Sequence, residues 1–592
     1  MTTTAAPVYR DATTPLADRV EDLLARMTLR DKAGLLFHDM VVPGPDGHLA
    51  GPENFLGRPA TVDAVQNLRM THFNLVGPIN DVRAHVRWHN RLQEAALETP
   101  LGIPVTLSTD PRHSFSSNAG TAALAGAFSQ WPETLGLAAL RDEDLVEQYA
   151  DVVRREYLAT GLRVALHPQI DLATEPRWSR SGMTFGEDSY LTGKLVGAYL
   201  RGLQGEEFGP ASVSAVVKHF PGGGPQKDGE DPHFPYGKEQ IYPDGKFDYH
   251  LQPFIAALQA GARQMMPYYG MPVGTPFEEV AFGFNRDIIT GLLREQLGFD
   301  GIVCTDWGLL TDAVIFGQPV PARAWGLEHL DPHARTLRAL HAGADQFGGE
   351  SVPHLVADLV ERGDLEESRL DTSVRRLLAE KFALGLFDHP FLDEDEALEV
   401  VGHPDHIRLG QATQRAAITR LTAAPANSAA ALHHAPADRR IYTEGLSAQA
   451  AARLGRPVDS PEHADAAVLR LQAPYEPRPG GFEAMFHAGS LEFPAPERER
   501  ILSVCATVPT VVVLYLDRAA VIPEIAAGAA ALLVDFGADD DAVVDILTGA
   551  ATAQGLLPFD LPSSMTAVEA SAPDAPFDTH NPAFRFGDGI TA

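Results

Sequence analysis

Four short segments combine carboxylates, cations and aromatic side chains in a way that could build one reaction site. They carry Asp110 in VTLSTDPRHSF (105–115), Arg177 and Trp178 in HPQIDLATEPRWSRSGMTFGEDSYL (167–191), Lys218 and His219 in VVKHFPGGGPQKDGEDPHF (216–234), and Asp306 and Trp307 in GIVCTDWG (301–308). An aromatic face can cover the apolar C–H face of a pyranose, while charged groups hold the sugar hydroxyls. These residue types therefore indicate carbohydrate chemistry.

The glycine-rich turn at 222–224 raises the alternative of a phosphate-binding loop. The surrounding residues match neither GxGxxG nor GxxxxGK[ST], so a phosphate cradle is disfavoured. We interpret the glycines as residues that let the backbone turn sharply beside a crowded pocket.

Composition excludes several classes of partner. The 592 residues include 79 acidic and 47 basic side chains, a formal charge of −32, which disfavours binding to nucleic acid or to an anionic membrane. Only Cys304 and Cys505 are present, too far apart for metal-ligand spacing, so neither a disulfide framework nor a metal site is predicted. No apolar run reaches the ~18–20 residues of a membrane helix, and no secretion signal is visible, so we expect a cytoplasmic protein.

The elements that would position these residues alternate between short apolar strands and amphipathic helices. Strands are predicted at 73–78, 103–108, 164–170, 214–219, 262–266 and 301–305, rich in Val, Ile and Leu as in a parallel sheet covered on both faces. Polar residues stand at or near successive strand ends: Asp110, Asp171, Lys218 with His219, Tyr269, Asp306 and Asp345. In a TIM barrel the reactive residues lie at the carboxyl ends of several strands and converge on one face. Residues 1–390 are therefore predicted to form a TIM-like (β/α)8 barrel.

A second αβ block follows the barrel. The stretch DHPFLDEDEALEVVGHPDH (388–406) is rich in Pro, Asp and Glu and interrupts the strand–helix alternation. We therefore interpret residues 391–410 as a linker. Short strands are predicted at 439–442, 466–471, 510–516 and 531–536, separated by Ala-rich helical segments. Residues 411–592 are therefore predicted to form a smaller three-layer αβ sandwich.

Six motifs in this order resemble glycoside hydrolase family 3. They are RVEDLLARMTLRDKAGLL (19–36), PRWSRSG with FGEDSYL, KHFPGGGP, MPYYG, CTDWG and GLLPFDLP (555–562), and they span both predicted domains. The resemblance implies a two-domain, retaining exo-β-glucosidase that needs no cofactor and no metal. It would release terminal non-reducing β-D-glucose from short β-glucosides or from aryl and natural-product glucosides. A homodimer is common among such relatives, and the sequence leaves the oligomeric state open.

The resemblance also implies roles for individual residues. Asp306 matches the family's nucleophile, and Asp110, Arg177, Lys218 and His219 match positions that hold the sugar hydroxyls. Trp307 would form the aromatic wall on the leaving-group side. Tyr269 matches a substrate-contacting Tyr, although the neighbouring Tyr268 leaves open which ring faces the sugar.

The acid/base residue has three candidates. In many two-domain relatives it is a Glu of the second domain, which here points to Glu476 in APYEP, with Glu483 as an alternative. In the N-acetylglucosaminidase branch, an Asp/His pair after KHFPG takes this role, and Asp231 and His233 occupy that region. The pair would imply a β-N-acetylglucosaminidase or a phosphorylase. A non-catalytic sugar-binding protein is a further alternative, which an intact Asp306 speaks against.

Overall fold

The structure is a computed structural model that describes residues 7–52, 57–116, 121–315, 317–424, 432 and 438–591. None of the helices in these ranges combines the length and the apolar character that crossing a membrane requires.

Eight parallel strands close into a barrel. They are β1 (Phe37–Val41), β2 (His72–Leu75), β3 (Thr106–Thr109), β4 (Leu162–Ala165), β5 (Ser214–Phe220), β6 (Gln264–Pro267), β7 (Ile302–Trp307) and β8 (Gln346–Gly348). Each strand pairs with the next along the chain, and β8 pairs with β1 to complete the ring. The prediction of a (β/α)8 barrel is confirmed. Sequence reasoning missed β1 and β8, because β8 has only three residues and β1 carries His38 and Asp39 among its apolar positions.

Helices surround this barrel and cover its outer face. They are α1 (Leu16–Leu24), α2 (Leu29–Leu35), α3 (Val82–Leu97), α4 (Thr134–Leu140), α5 (Glu143–Ala159), α6 (Ser189–Gln204), α7 (Phe247–Gln259), a helix of π-type turns (Asp287–Gln296), α8 (Pro332–Ala342), α9 (His354–Glu361) and α10 (Glu367–Ala383). Aspartates cap several of them: Asp81, Asp142 and Asp188 accept the backbone N–H three residues on and begin α3, α5 and α6. All seven residues of β5 are buried, as expected for a strand with both faces covered.

Asp345 does not belong to the reactive end of the barrel. It directly precedes β8, and its Oδ2 accepts hydrogen bonds from the Val303 backbone N–H at 2.9 Å and from Arg294 at 2.6 Å. Its Oδ1 accepts hydrogen bonds from Ser373 at 2.7 Å and from Arg376 at 3.0 Å. The sequence interpretation of Asp345 as a strand-end group is therefore wrong, because the apolar segment before it belongs to α8 and not to a strand.

The segment 391–410, predicted as a linker, is mostly helical. It contains α11 (Glu394–Val400) and the first half of α12 (Pro404–Ala417). The side chain of Asp393 caps α11, and three acidic residues occupy its first turn, where the positive end of the helix dipole favours them. The acidic run that resembled a linker is thus a helix start.

A six-stranded sheet forms the second domain. Its strands are β9 (Thr419–Thr422), β10 (Arg440–Glu444), β11 (Arg456–Pro457), β12 (Ala466–Gln472), β13 (Thr510–Tyr515) and β14 (Ala531–Asp535), in the order β9–β14–β13–β12–β10–β11. β9 is antiparallel to β14, and the other pairs are parallel. The remaining helices are α13 (Ala448–Leu454), α14 (Ala495–Thr507), α15 (Pro523–Gly528), α16 (Asp540–Thr548) and α17 (Met565–Ala570).

Alternate residues of this sheet enter two separate apolar cores. Leu469, Val512 and Leu514 face α14 and α15, whereas Val468 and Val513, on the opposite face, pack against α13 and α16. The period-two alternation of the strands therefore requires a helical layer on each side. The predicted three-layer sandwich is confirmed.

The two domains share part of one core. Leu135 and Ala139 of α4 are buried in the same apolar cluster as β12, β13 and β14. The Glu133 backbone N–H also donates to the carbonyl of Phe536 at 2.7 Å. A helix of the first domain thus forms part of the layer that covers the second sheet.

A buried carboxylate links the barrel to α12. Glu156 of α5 lies 2.7 Å from His113 Nε2 and 3.2 Å from His406 Nδ1, and it accepts hydrogen bonds from Ser129 and from the Gly402 backbone N–H. Burial opposes its ionisation, yet these partners lower the pKa of Glu156 from 4.5 to about 2. Ionised Glu156 therefore stabilises the folded state.

We expect Glu156→Gln to lower the free energy of unfolding at pH 7 by about 2–3 kcal/mol. Because the folded pKa lies below the unfolded one, this contribution is complete above about pH 4.5 and is lost as the pH falls toward 2. Urea unfolding at pH 7 and at pH 3 measures the difference.

The matched control for this measurement is Glu147→Gln, a change on the same helix as Glu156. It removes an exposed ion pair with Arg201 of α6 and should change stability by less than about 0.5 kcal/mol. An equal loss for Glu156→Gln at both pH values would contradict the assignment.

Candidate active site

A cavity of about 600 Å³ lies at the carboxyl ends of the barrel strands. Six of the residues predicted from the sequence line it: Asp110, Lys218, His219, Tyr269, Asp306 and Trp307. Leu166 and Met266 also line it and belong to a small apolar cluster inside the barrel, which closes the inner end of the cavity. The cavity is therefore a blind pocket with charged walls.

Asp306 provides a carboxylate with one uncommitted oxygen. Asp306 is the penultimate residue of β7 and is only 7% exposed. Oδ1 accepts the backbone N–H of Trp307 at 2.8 Å, whereas Oδ2 has no hydrogen-bond partner among the described residues. A buried acceptor without a partner is costly, so its retention beside a cavity indicates a chemical role.

His219 lies beside this oxygen as a neutral ring. Its Nε2 is 3.7 Å from Asp306 Oδ2 and 3.0 Å from Arg180 Nη1. Because a guanidinium can only donate, Nε2 must accept, and the ring proton is on Nδ1, which donates to Asp171 at 2.7 Å. Burial holds the pKa of His219 well below its usual value, in agreement with a neutral imidazole.

Asp171 holds the histidine in this orientation. Its Oδ1 accepts the backbone N–H groups of His219 at 3.1 Å and of Gly223 at 2.5 Å. Burial raises the pKa of Asp171 to about 6. The glycine-rich turn lets the backbone approach this segment closely, since a Cβ on Gly224 would lie 1.8 Å from the carbonyl oxygen of Leu172.

The cation nearest to this histidine is Arg180, which sequence reasoning missed. Arg180 lines the cavity and donates from Nη2 to Gln169 at 3.0 Å as well as to His219. The predicted Arg177 is not part of the cavity wall. It makes a two-pronged ion pair with Glu175 at 2.9 Å, two residues earlier in its own loop.

Asp110 and Lys218 form an ion pair in the cavity wall. Lys218 Nζ lies 3.3 Å from Asp110 Oδ1, and Asn74 donates to the other carboxylate oxygen at 3.0 Å. Burial lowers the pKa of Lys218, and the neighbouring Asp110 works against that effect. Each carboxylate oxygen has one protein donor and a further lone pair for a ligand hydroxyl.

The two adjacent tyrosines have different environments. Tyr269 lines the cavity, and its hydroxyl donates to the Trp307 backbone carbonyl at 2.7 Å. Tyr268 is buried behind His219, with ring centroids 4.4 Å apart, and its hydroxyl is 3.4 Å from Asp231 Oδ2. Tyr269 is therefore the ring that faces a ligand.

The two second-domain glutamates lie outside the cavity wall. Glu476 is exposed, and its backbone N–H bonds Ala488 O at 2.9 Å. Glu483 is half-buried, accepts a hydrogen bond from Tyr236, and directly follows Phe482, which does line the cavity. Glu483 is therefore the immediate sequence neighbour of a residue of the cavity wall.

The Asp231–His233 pair does reach the cavity. His233 lines it, with its Nδ1 2.6 Å from Asp231 Oδ1, and Trp178 donates to Asp231 Oδ2 at 3.0 Å. Burial lowers the pKa of His233, and Asp231 only partly offsets this effect. Burial also opposes ionisation of Asp231, yet His233 lowers its pKa to about 2. The pair is thus a carboxylate that supports a neutral imidazole.

Sequence reasoning also missed Arg58, Asp312, Arg323 and Phe482, which line the outer part of the cavity. These four residues lie outside the barrel strands, so the pattern of polar residues at strand ends could not predict them. Among the residues that the structure describes, no group of three or more His, Cys, Asp or Glu side chains is arranged to hold a metal ion.

Two family models together match nearly the whole chain. The N-terminal domain model of glycosyl hydrolase family 3 matches residues 63–379, and the C-terminal domain model matches residues 387–592. The chain belongs to glycosyl hydrolase family 3. It is therefore a glycoside hydrolase, as the motifs predicted.

Similar family 3 proteins cover the full length of the chain. Probable β-glucosidase C of Aspergillus flavus is 52% identical over 588 residues, covering 99% of this chain and 92% of that protein. The periplasmic β-glucosidase/β-xylosidase of Dickeya chrysanthemi is 40% identical and covers 98% and 91% of the two chains. A β-glucosidase structure from Erythrobacter marinus superposes with a TM-score of 0.79 at 21% identity, covering 99% of this chain and 84% of that one, which supports the fold.

The two arginines of the PRWSR motif have different predicted roles, because Arg180 lines the cavity and Arg177 does not. Arg180→Met removes the donor to His219 from the cavity wall, so we expect kcat/KM for a chromogenic glycoside to fall at least about 100-fold. Arg177→Met breaks an ion pair outside the cavity and should change kcat/KM less than about 5-fold.

Circular dichroism at the assay temperature checks that both arginine variants have folded, because Arg177→Met leaves the buried Glu175 carboxylate unpaired and should lower the thermal midpoint. Equal losses of kcat/KM in the two variants would show that Arg180 has no special role.

Proposed function

We propose that this chain is a retaining exo-β-glucosidase that releases terminal β-D-glucose from short β-glucosides and aryl glucosides. The observation that carries the proposal is the Asp306 carboxylate, buried in the cavity wall, whose Oδ2 has no hydrogen-bond partner among the residues that the structure describes. This oxygen lies 3.7 Å from His219, which in turn accepts from Arg180. The names of the curated relatives support the choice of a β-glucoside.

The blind shape of the cavity supports exo action. Leu166 and Met266 close its inner end, so a sugar chain cannot pass through the barrel, and a terminal residue can reach down to the Asp306 carboxylate. Asp110 and Lys218 present acceptors and a donor on one wall, where the hydroxyls of that residue would bind.

In the proposed reaction, Asp306 Oδ2 forms a bond to the anomeric carbon while the bond from that carbon to the aglycone oxygen breaks. A general acid gives its proton to the departing oxygen. The same group then removes a proton from water, the water oxygen bonds to the anomeric carbon, and the ester to Asp306 breaks. The side chains of Arg180 and Lys218 supply positive charge to the same cavity wall that carries the Asp306 carboxylate before the ester forms and after it breaks.

For the general acid we propose Glu483. Retaining chemistry usually employs two carboxyl groups, and Glu483 directly follows Phe482 of the cavity wall, whereas Glu476 is exposed and away from it. His233 is a weaker donor, since burial lowers its pKa and leaves the ring neutral at pH 7.

Incubation with a 2-fluoro β-glucoside should trap a glycosyl ester on Asp306, because the fluorine slows the second step more than the first. Peptide mass spectrometry locates the adduct, and Asp306→Asn should show none. Labelling of any other carboxylate would refute the nucleophile assignment.

A second candidate function rests on the observation that His233 lines the cavity and Asp231 orients it. An imidazole general base is uncharged and would not repel an anionic acceptor, so this pair suits a β-N-acetylglucosaminidase or a phosphorylase. Hydrolysis of an N-acetylglucosaminide well above that of the glucoside, or a rate dependent on phosphate, would establish it.

Azide rescue separates the acid/base candidates. With an activated aryl glucoside, Glu483→Ala should lose at least about 100-fold in kcat without azide and should form β-glucosyl azide when azide is added. Glu476→Ala serves as the matched control on the same loop and should keep near-wild-type kcat. Rescue of Glu476→Ala, or of His233→Ala alone, would overturn the assignment.

A further inference from the structure

We propose that the outer half of the cavity is an aglycone site for a flat aromatic ring that carries a carboxylate, with Arg323 as the residue that binds the carboxylate. The inference rests on the proposed β-glucosidase function and names the class of glycoside that the site would select. It is carried by a buried guanidinium that forms no ion pair within the part of the chain that the structure describes, and by an apolar wall beside it.

The apolar wall comes from both domains. A hairpin of the barrel, formed by Ala313–Ile315 and Gln318–Val320, projects next to Trp307, and its Val314 lines the cavity while remaining 69% exposed. Phe482 of the second domain lines the cavity too, and Ile315 packs against the cluster that Phe482 forms with Phe234 and Phe486. An exposed Val next to aromatic rings provides a surface that an apolar ring would cover.

Arg323 lies at the inner edge of this wall. It is 4% exposed and lines the cavity. Its Nη1 donates to the Trp307 carbonyl and its Nε to the His233 carbonyl, both at 3.4 Å, near the long limit of a hydrogen bond. Its guanidinium carbon lies 5.6 Å from the centre of the Tyr269 ring and 6.0 Å from that of Phe482.

None of the ion pairs found within the described ranges includes Arg323. The inner cations differ in this respect, because Lys218 pairs with Asp110 and Arg180 donates to His219 and Gln169. Asp312, the acidic residue on the outer wall, is exposed, and its Oδ1 accepts the Ala322 backbone N–H at 2.9 Å. A buried guanidinium whose side-chain hydrogen bonds within the described ranges are two long ones to carbonyls can still bind an anionic group strongly.

The carbonyls that accept from Arg323 belong to Trp307 and His233, which both line the cavity. Trp307 directly follows the nucleophile Asp306, and His233 packs against Phe486 of the second-domain loop. This location is on the leaving-group side of the site. A sugar aglycone would offer neutral hydroxyls to the hairpin and leave Val314 in contact with polar groups. A benzoate-type ring instead covers Val314 and Phe482 and brings its carboxylate to Arg323.

The test compares 4-carboxyphenyl β-D-glucoside with 4-carbamoylphenyl β-D-glucoside, which has a similar shape and no charge. We expect the ratio of kcat/KM values, acid over amide, to be at least 10-fold higher in the wild type than in Arg323→Gln. Dividing the two ratios removes the intrinsic difference between the leaving groups. Arg362→Gln, on the exposed surface of the barrel domain, is the control and should keep the wild-type ratio.

Val314→Ser tests the apolar wall separately. It should lower kcat/KM for both aryl glucosides about 3- to 10-fold relative to methyl β-D-glucoside, without changing the acid-to-amide ratio. An unchanged ratio in Arg323→Gln overturns the inference. An equal loss of kcat/KM with methyl β-D-glucoside in Arg323→Gln also overturns it, since Arg323 would then act on the sugar or on the nucleophile.

Binding of the free aglycone separates failure of the inference from failure of the proposed function. Calorimetric titration with 4-hydroxybenzoate should show binding to the wild type that weakens at least 10-fold in Arg323→Gln. If no β-glucoside is hydrolysed, the proposed function fails while this titration still tests the site. If glucosides are hydrolysed and 4-hydroxybenzoate binds both proteins equally or neither, only the inference fails.

Discussion

The constraint on which the site depends is that the Asp306 carboxylate lies buried in the cavity wall with one oxygen free to react. A carboxylate in such a place is expensive unless cations and dipoles replace the lost water. The cavity wall supplies two cations: Arg180, which donates to the neutral His219, and Lys218, which pairs with Asp110. Because His219 must accept from Arg180, its proton is held on the side of Asp171, and none of these groups bonds to the reactive oxygen.

The barrel makes this arrangement possible. Asp110, Lys218 and Asp306 come from three different strands, and a closed parallel barrel brings the carboxyl ends of all of them to one rim. The inner end must be sealed for the site to act on a chain terminus, and apolar residues from β4, β5 and β6 perform that sealing. The same topology therefore explains both the convergence of charges and the blind shape of the pocket.

The second domain completes the site from outside the barrel. Its sheet shares an apolar core with α4, and its loop brings Phe482 and Phe486 against His233, whose ring lies 4.9 Å from that of Phe486. The wall of the cavity near the leaving group is thus built by residues from both domains. Protonation of the leaving group therefore depends on how the two domains pack.

Much of the fold and part of the site followed from the sequence alone. Strand-to-helix alternation predicted the barrel, and the motifs KHFPGGGP and CTDWG placed Lys218, His219 and Asp306 at strand ends, because a strand and the residue that ends it are local in the chain. The choice between Arg177 and Arg180, three residues apart in one motif, was decided by the tertiary structure. Arg177 pairs with Glu175 inside its loop, whereas the loop's path carries Arg180 to His219. Which glutamate approaches the cavity, and that Arg323 lines it, likewise depended on contacts between segments far apart in sequence. Local patterns determine secondary structure and strand ends, but only the packed chain determines what those ends meet.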